Sequence, residues 1–552
     1  MHRTTDAPPM HHRPAAGRDP SGDGSRRQAT GRHRERETPM PVFVGCDLGT
    51  MGTKAAVVDE DGTILGEAFE EVSLRHVRPG VVEQDLDDIE ASAHATIAQA
   101  LQASGRAGDV AGVAFSGQMS GIGTIDADFR PATHFDSWLD QRCTPYIDRM
   151  EEHAARVVEL SGCPPTYSHG PKMLWWQHEH PADFERIARF VVPTAYVAGR
   201  LAGLRADEAY IDRTHLHFSN LSDTAASVWS DELIELFGID ASVLPRIVDP
   251  LDVIGEVTTA MAERTGLPAG TPVAAGAGDQ SAASLGAGVV EPGQVFDSAG
   301  TASFFAVCVD GFRPDTRDLT LACSPSIVPG RFISQAFVNG GGLALRWLRD
   351  ELGGDLAGDP DAFRELDRQA AEVVPGSGGL LWFPHFQGCV LPPDPRARSA
   401  WVGLTSGHTR GHLFRAILEG IAYEYAAWAD IVRGTGQTIH EARVLGGGAG
   451  SPLWNQIKAD VLGIDFVPMV RQECGVLADA LTAAAATGHV TDIPATIKDW
   501  QEAGEVVRPD AGRHATYGHH LRAYEALRRN LGEVYRHLAD AVAATDAPEV
   551  TS

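Results

Sequence analysis

The sequence predicts an α/β protein assembled from two domains of similar design. One observation is a strand–turn–strand tip near the start, "VGCDLGTMGTKAAVVDEDG" (44–62), with Gly49-Thr50 at its turn. A second is the return of that design in "QVFDSAGTASFFAVCVDG" (294–311), where Gly300-Thr301 takes the same place and "VCVDG" closes the unit as "VVDEDG" does. The third is the alternation of short apolar strands with helix-period segments behind each tip. A chain of 552 residues, 43% hydrophobic and 22% charged, has ordinary globular composition and the length of roughly two to four domains.

The elements follow in order. Residues 1–40 are rich in Arg, His, Pro and Gly and nearly free of branched apolar residues, so they are expected to be disordered. They lack the apolar core of a secretion signal and read as an upstream extension before a second start at Met40. From Val42, "VFVGCD", "KAAVVD" and "TILGEAFEEV" form a three-stranded antiparallel meander that presents Asp47 to Thr53 at one tip. In "DLDDIEASAHATIAQALQAS" (85–104), Ile89, Ala93, Ile97 and Leu101 share one helix face behind an acidic start. "VAGVAFSG" is a strand that runs into the loop "SGQMSG", and 145–265 is a helix-rich stretch with many Trp and His residues. A strand at Val273 to Ala275 leads into "GAGDQSAASLGAG". After the second tip, "EARVLGGGAGSPLWNQIKADVLG" (441–463) is a strand, a glycine triplet and a helix, with Ser451 as N-cap and Pro452 at the first helical position. A small-residue helix and a charged amphipathic one close the chain.

The formal net charge of -28 argues against a nucleic-acid partner and favours small-molecule chemistry. No run of about eighteen apolar residues is present, so nothing is expected to span a membrane. Seven cysteines without a C-x-x-C pair suggest reduced thiols and a cytoplasmic setting.

The opening loop is neither a P-loop nor a G-x-G-x-x-G dinucleotide turn. Asp47, ending a strand beside a glycine turn, can hold Mg²⁺ while turn amides face a phosphate, and Lys54 can add charge; a plain hairpin with a solvated aspartate fits the same residues. Asp279 stands between a strand end and a small-residue helix, with room left by Gly276 and Gly278. It suits a helix N-cap, and equally a carboxylate that accepts a hydroxyl proton during phosphoryl transfer. The triplet Gly446-Gly447-Gly448 lets a flat ring or ribose approach the backbone, or simply turns a strand into a helix. Trp138 can stack on a sugar face, with Asp140 and Arg142 bonding its hydroxyls, or can be core. "HEHP" (178–181) lacks the H-E-x-x-H spacing and reads as a polar helix start, and Trp175 and Trp176 as packing between helices. No Ser/His/Asp set is legible.

Taken in order, "DLGTMGTK", "SGQMSG", "WLDQR", "PKMLWW", "GAGDQSAASLGAG", "SAGTAS", "EGIAYEY" and "GGGAGSPLWNQIKADVLG" resemble the FGGY-type carbohydrate kinases, most closely those acting on xylulose. The resemblance covers about residues 42–535. It implies two ribonuclease-H-like domains of the hexokinase–actin superfamily, 41–290 and 291–552, with ATP and a sugar or polyol in the cleft between them. It further implies that Asp47 and the turn through Gly49 and Thr50 face Mg²⁺ and phosphate, with Lys54 nearby, and that Gly300-Thr301 is the second phosphate turn. Gly447 and Gly448 would lie against the adenosine. Asp279 would be the catalytic base with Gln280 near the sugar, and Met119, Ser120, Trp138 and Asp140 would line the acceptor pocket. Two departures bear on the acceptor: Ser120 stands where xylulose kinases usually carry His, and "PHFQGCVLPPDPRARSAWVGL" lacks the usual Glu-Arg pair. The amphipathic helix near 520–543 is expected to pack on the core or on a second subunit, which would make a homodimer.

Overall fold

The computed structural model describes residues 40–546, and the head through Pro39 lies outside them. The first sheet grows from the predicted meander. β1 (Val42–Leu48) pairs antiparallel with β2 (Gly52–Asp59), and β2 with β3 (Ile64–Glu71). β1 and β2 are apolar nearly throughout because both faces of the sheet are covered, whereas β3, at the edge, exposes Glu67, Glu70 and Glu71. β4 (Val110–Gly117) lies parallel to β1, β5 (Val253–Glu256) is the far edge, and β6 (Pro272–Ala274) lies parallel to β4, giving the order β5-β6-β4-β1-β2-β3. α1 (Leu86–Ser104) starts on Asp85, whose side chain accepts the Asp87 N–H, and ends at Gly105 in the left-handed conformation. Its predicted stripe, Ile89, Ala93, Ile97 and Leu101, packs with Val42 and Val44 in one core. α2 (His169–Glu179), α3 (Pro193–Ala202) and α4 (Asp279–Gly286) complete this half.

The second sheet repeats the wiring. β7 (Gln294–Ala299), β8 (Ser303–Val309), β9 (Ala322–Pro325), β10 (Phe332–Val338), β11 (Glu441–Leu445) and β12 (Asp465–Pro468) lie in the order β9-β10-β8-β7-β11-β12. Three antiparallel strands, β7-β8-β10, with β9 added outside β10, are again followed by a strand parallel to the first of them, β11 on β7 as β4 on β1. The duplicated Gly-Thr tips therefore belong to two domains of one α/β design. α5 (Arg410–Gly434) and α6 (Pro452–Leu462) cover one face, and Ser451 caps α6 as expected, accepting the Trp454 N–H at 3.1 Å.

α7 (Cys474–Ala486) crosses back to the first sheet. Val476, Leu477, Ala480 and Leu481 share a core with Phe43, Ala56, Val58 and Ala114. A Cβ on Gly45 would stand 2.0 Å from the Val476 carbonyl oxygen, so the small residues of this helix and of β1 serve a close approach. A cut near residue 290 thus divides the sequence but not the packing. α8 (Ala511–Asp546) settles onto the protein's own second core. Tyr517, Tyr524, Leu531 and Tyr535 form its buried stripe, and the Tyr517 and Tyr524 hydroxyls donate to Glu419 (2.9 Å) and Glu424 (2.6 Å) of α5. Among the described residues no helix is long and apolar enough to cross a membrane.

Candidate active site

A cavity of about 290 Å³ takes its walls from both halves of the molecule. Thr50, Met119, Ser120, Trp138, Asp279 and Gln280 come from the first; Ser298, Ala302, Phe304, Gln335, Phe337 and Leu391 come from the second.

Asp279 opens α4 directly after Gly278. A Cβ on Gly278 would lie 2.5 Å from the Met119 sulfur, so glycine is what lets Met119 reach the cavity. The Gly278 N–H donates to Thr214 Oγ1 (2.9 Å), whose hydroxyl donates to the fully buried Asp212 (2.5 Å), and Asp212 also pairs with His215 Nδ1 (2.6 Å). The backbone on which the Asp279 carboxylate stands is therefore held from behind. Burial, then the charge of Asp47, pushes the Asp279 carboxyl up to about 7; the Gln280 N–H on Oδ1 (2.7 Å) and His215 work against that shift.

Asp47 sits near the end of β1. Burial pushes it up to about 6, opposed by the Ser116 hydroxyl and Lys54. Ser116 Oγ stands 3.5 Å from Asp47 and donates at 2.8 Å to the buried Asp479 of α7, a third carboxyl, raised by burial and by Asp47. Oxygen donors whose charge is held back by burial and by one another suit a hard divalent cation that keeps much of its own water, as Mg²⁺ does. Among the described residues no three or more His, Cys, Asp or Glu side chains converge into a full protein-built metal set.

The three glycine features converge in part. Thr50 at the first tip accepts the Trp138 indole N–H at 3.0 Å, and its carbonyl accepts from Gln84 at 3.0 Å. At the second tip the Gly300 N–H donates to Ala302 O (2.9 Å), and Arg346 donates to Thr301 Oγ1 (3.0 Å). Gly446 adopts φ 78°, and a Cβ on Gly448 would lie 2.4 Å from Ala299 Cβ, so the triplet with Gly447 lies against the end of β7 beside the second tip. The tips are not identical in chemistry. Ser298, two residues before the turn as Asp47 is in the first, faces the cavity; Asp297, one residue earlier, faces the core, paired with Lys458 and accepting from Tyr425 (2.9 Å). Period-two alternation puts that carboxylate on the opposite face.

Ser120 takes φ 64°, unusual for a residue with a side chain. Its carbonyl, with those of Ser137 and Tyr167, accepts from the buried Lys172 ammonium at 3.1, 2.9 and 2.6 Å. One lysine thus joins the loops that carry Ser120 and Trp138.

Some expectations need correction. Asp140 does not line the cavity: its carboxylate is buried and accepts from Val82 N–H (2.8 Å) and from Arg142. Arg142 is likewise engaged, donating to Asp140, Asp136 and Glu83. Lys54 pairs with Glu67 and Glu473 and is not among the cavity's walls. "HEHP" ends α2 and, at Pro181, starts the next short helix, and Trp175 and Trp176 pack on the core as expected, the Trp176 indole N–H donating to Asp136 (2.7 Å). Gln335, Phe218, Phe337 and Leu391 line the cavity without standing out in the sequence. The signals for them are weak: a lone Gln in the apolar strand "FISQAFV", and aromatic or aliphatic residues of ordinary core type.

Comparison with known proteins follows the same division. The profile of the FGGY family of carbohydrate kinases, N-terminal domain, matches residues 42–286, and that of the C-terminal domain matches 296–487. A xylulose kinase of Bacillus subtilis is 26% identical over 516 residues, 91% of this chain and 98% of the relative. A glycerol kinase of Trichlorobacter lovleyi is 30% identical over 478 residues, 84% of this chain and 93% of the relative. The crystal structure of xylulose kinase from Rhodospirillum rubrum superposes with a TM-score of 0.83 at 27% identity, covering 90% of this chain and 100% of the other.

Proposed function

Because this chain belongs to the FGGY family of carbohydrate kinases, we propose that it transfers the γ-phosphoryl group of ATP to a primary hydroxyl of a ketose, D-xylulose foremost, yielding D-xylulose 5-phosphate and ADP. The observation that carries this reading is a half-buried carboxyl, Asp279, raised to about 7 in a cavity whose walls come from both halves beside their Gly-Thr tips. The acceptor oxygen attacks the γ-phosphorus, the bond to the ADP oxygen breaks, and the acceptor proton passes to Asp279. Backbone amides of the Gly49-Thr50 turn and of Thr301 would face the phosphates, the Gly300 N–H being taken by Ala302 O, and Gly447, where an added Cβ would meet nothing, would leave space for the adenosine. Asp47 is the residue best suited to hold Mg²⁺, with Asp479 behind it through Ser116; the ion would offset charge on the phosphate oxygens. Gln280, Ser120, Met119 and Trp138 border the acceptor, and the walls from two halves exclude the water that would otherwise hydrolyse ATP.

D-Xylulose is supported by the xylulose kinase relatives and by the absence of an Arg-Glu pair after "GQ", where Met119-Ser120 stand; the glycerol kinase relative makes a polyol the second reading. Acceptor-dependent ADP release over a panel of pentuloses, hexuloses and polyols tests the proposal. Strong stimulation by a pentulose is expected, and no stimulation by any of them would favour a sugar-binding protein without kinase activity.

The base must be ionised to accept a proton, so kcat/KM should rise about tenfold per pH unit below about 7 and level off above it, as a pH–rate profile will read. Trp138→Phe keeps a ring beside the acceptor but removes the donor to Thr50. A loss of about 5–20-fold in kcat/KM is expected, on the scale of one buried hydrogen bond, measured by steady-state kinetics with both substrates varied.

A further inference from the structure

The part of the cavity wall that comes from the second half carries a buried polar side chain that the phosphoryl transfer does not use. Gln335 of β10 lines the cavity, is 5% exposed, and belongs to the second half of the molecule. Its Nε2 lies 3.3 Å from Nε2 of His217, a fully buried ring in the segment Arg213–Ser219 of the first half. Burial, with His215 beside it, pushes His217 down to about 3, so the ring is neutral, and in the tautomer protonated on Nδ1 its Nε2 accepts the amide N–H. That leaves Gln335 Oε1, which among the described residues has no protein partner. The cavity is also lined by Phe337, Phe218 and Leu391, none of which can satisfy a hydroxyl, and on the second half's side by Ser298. A substrate hydroxyl brought to Gln335 finds an acceptor whose amide is held by an imidazole from the other half.

Resting on the sugar-kinase reading, we propose that Gln335 is a specificity-determining residue whose side-chain oxygen accepts a hydrogen bond from a secondary hydroxyl of the acceptor, and that His217 is its positioning residue. The favoured acceptor then carries a hydroxyl toward β10 and a bare C–H face toward Phe218, Phe337 and Leu391. A buried polar group built to meet a hydroxyl discriminates strongly against the analogue that lacks it, because the protein oxygen is left unpaired.

The test is steady-state kinetics of wild type, Gln335→Leu and His217→Phe with D-xylulose, D-ribulose and the 3-deoxy and 4-deoxy ketopentoses. In Gln335→Leu the acceptor KM should rise about tenfold or more while the KM for ATP stays within about threefold. One deoxy analogue should be rejected at least about tenfold by wild type and no longer distinguished by Gln335→Leu. His217→Phe should shift acceptor preference in the same direction, since the amide loses its anchor. Unchanged acceptor KM and unchanged sugar ranking in a Gln335→Leu protein with wild-type thermal unfolding would overturn the proposal. If the leucine variant does not fold, Gln335→Asn replaces it; too short to bridge His217 and the acceptor, it should raise KM likewise. If wild type phosphorylates no sugar, the kinase reading fails, and calorimetry of ketopentose binding decides separately. Affinity lost about tenfold in Gln335→Leu supports the contact, and no difference between the two proteins overturns it.

Discussion

Asp279→Asn is expected to lower kcat by about 10²–10⁴-fold while leaving acceptor affinity close to wild type, because asparagine keeps the shape and the Gln280 contact but cannot take a proton. Rapid-quench measurement of phosphoryl transfer, beside calorimetry of sugar binding, separates the two effects. An asparagine enzyme within threefold of wild type would show that the proton goes elsewhere. The same variant should be more stable than wild type at pH 8. The folded protein holds the Asp279 carboxyl at about 7 against an ordinary value of 3.8, so the fold favours the protonated form. Below about pH 4 both states are protonated and nothing is lost; as pH rises toward and past 7 the folded state must carry a charge that is poorly solvated and lies near Asp47. The cost is about 2–4 kcal/mol at alkaline pH, at about 1.4 kcal/mol for every tenfold change in proton affinity, and is shared in part with Asp47. Thermal unfolding should show Asp279→Asn ahead at pH 8 and the gap closing as pH falls. A base that destabilises its own fold is expected of a residue kept for chemistry.

Asp47→Asn should cost about 10²–10³-fold in kcat/KM for ATP, with the sugar side nearly unaffected. Asp47 lies at the first tip, close enough to Asp279 to raise it, and its charge is what a phosphate-bound cation would meet. With that charge removed, Asp279 loses a repelling neighbour, so the acid limb of the pH profile should move to lower pH. Kinetics at several Mg²⁺ concentrations check the first effect, and the displaced limb checks that the two carboxyls interact. A variant with normal ATP kinetics and an unmoved limb would remove Asp47 from the site.

Much of the fold is legible in the sequence for local reasons. The Gly-Thr tips, the α1 stripe and the Ser451-Pro452 cap each depend on neighbours within a few residues, and the structure has all of them. Asp279 can be found because its flanking glycines advertise close approach, and Gly278 does clear a path for Met119. The errors are non-local. Asp140 and Arg142 carry groups that could bond a sugar, but Val82 and Glu83, distant in sequence, and Asp136, nearby in sequence but on the separate strand Phe135–Asp136, occupy them. The return of α7 to the first sheet is signalled only by its small residues, which say that something comes close without saying what. Gln335 sits in a strand that reads as core. Its meaning depends on His217, 118 positions away, and on a cavity that exists only once the two halves face each other.

The central claim is geometrical: nucleotide phosphates lie between the Gly49-Thr50 and Gly300-Thr301 tips, with the acceptor hydroxyl on Asp279. A crystal structure with a non-hydrolysable ATP analogue, Mg²⁺ and D-xylulose measures it most directly. The terminal phosphate is expected between the two tips, and a primary hydroxyl within hydrogen-bond distance of an Asp279 oxygen. A nucleotide bound away from both tips, or an acceptor whose hydroxyls all lie beyond reach of Asp279, would contradict it.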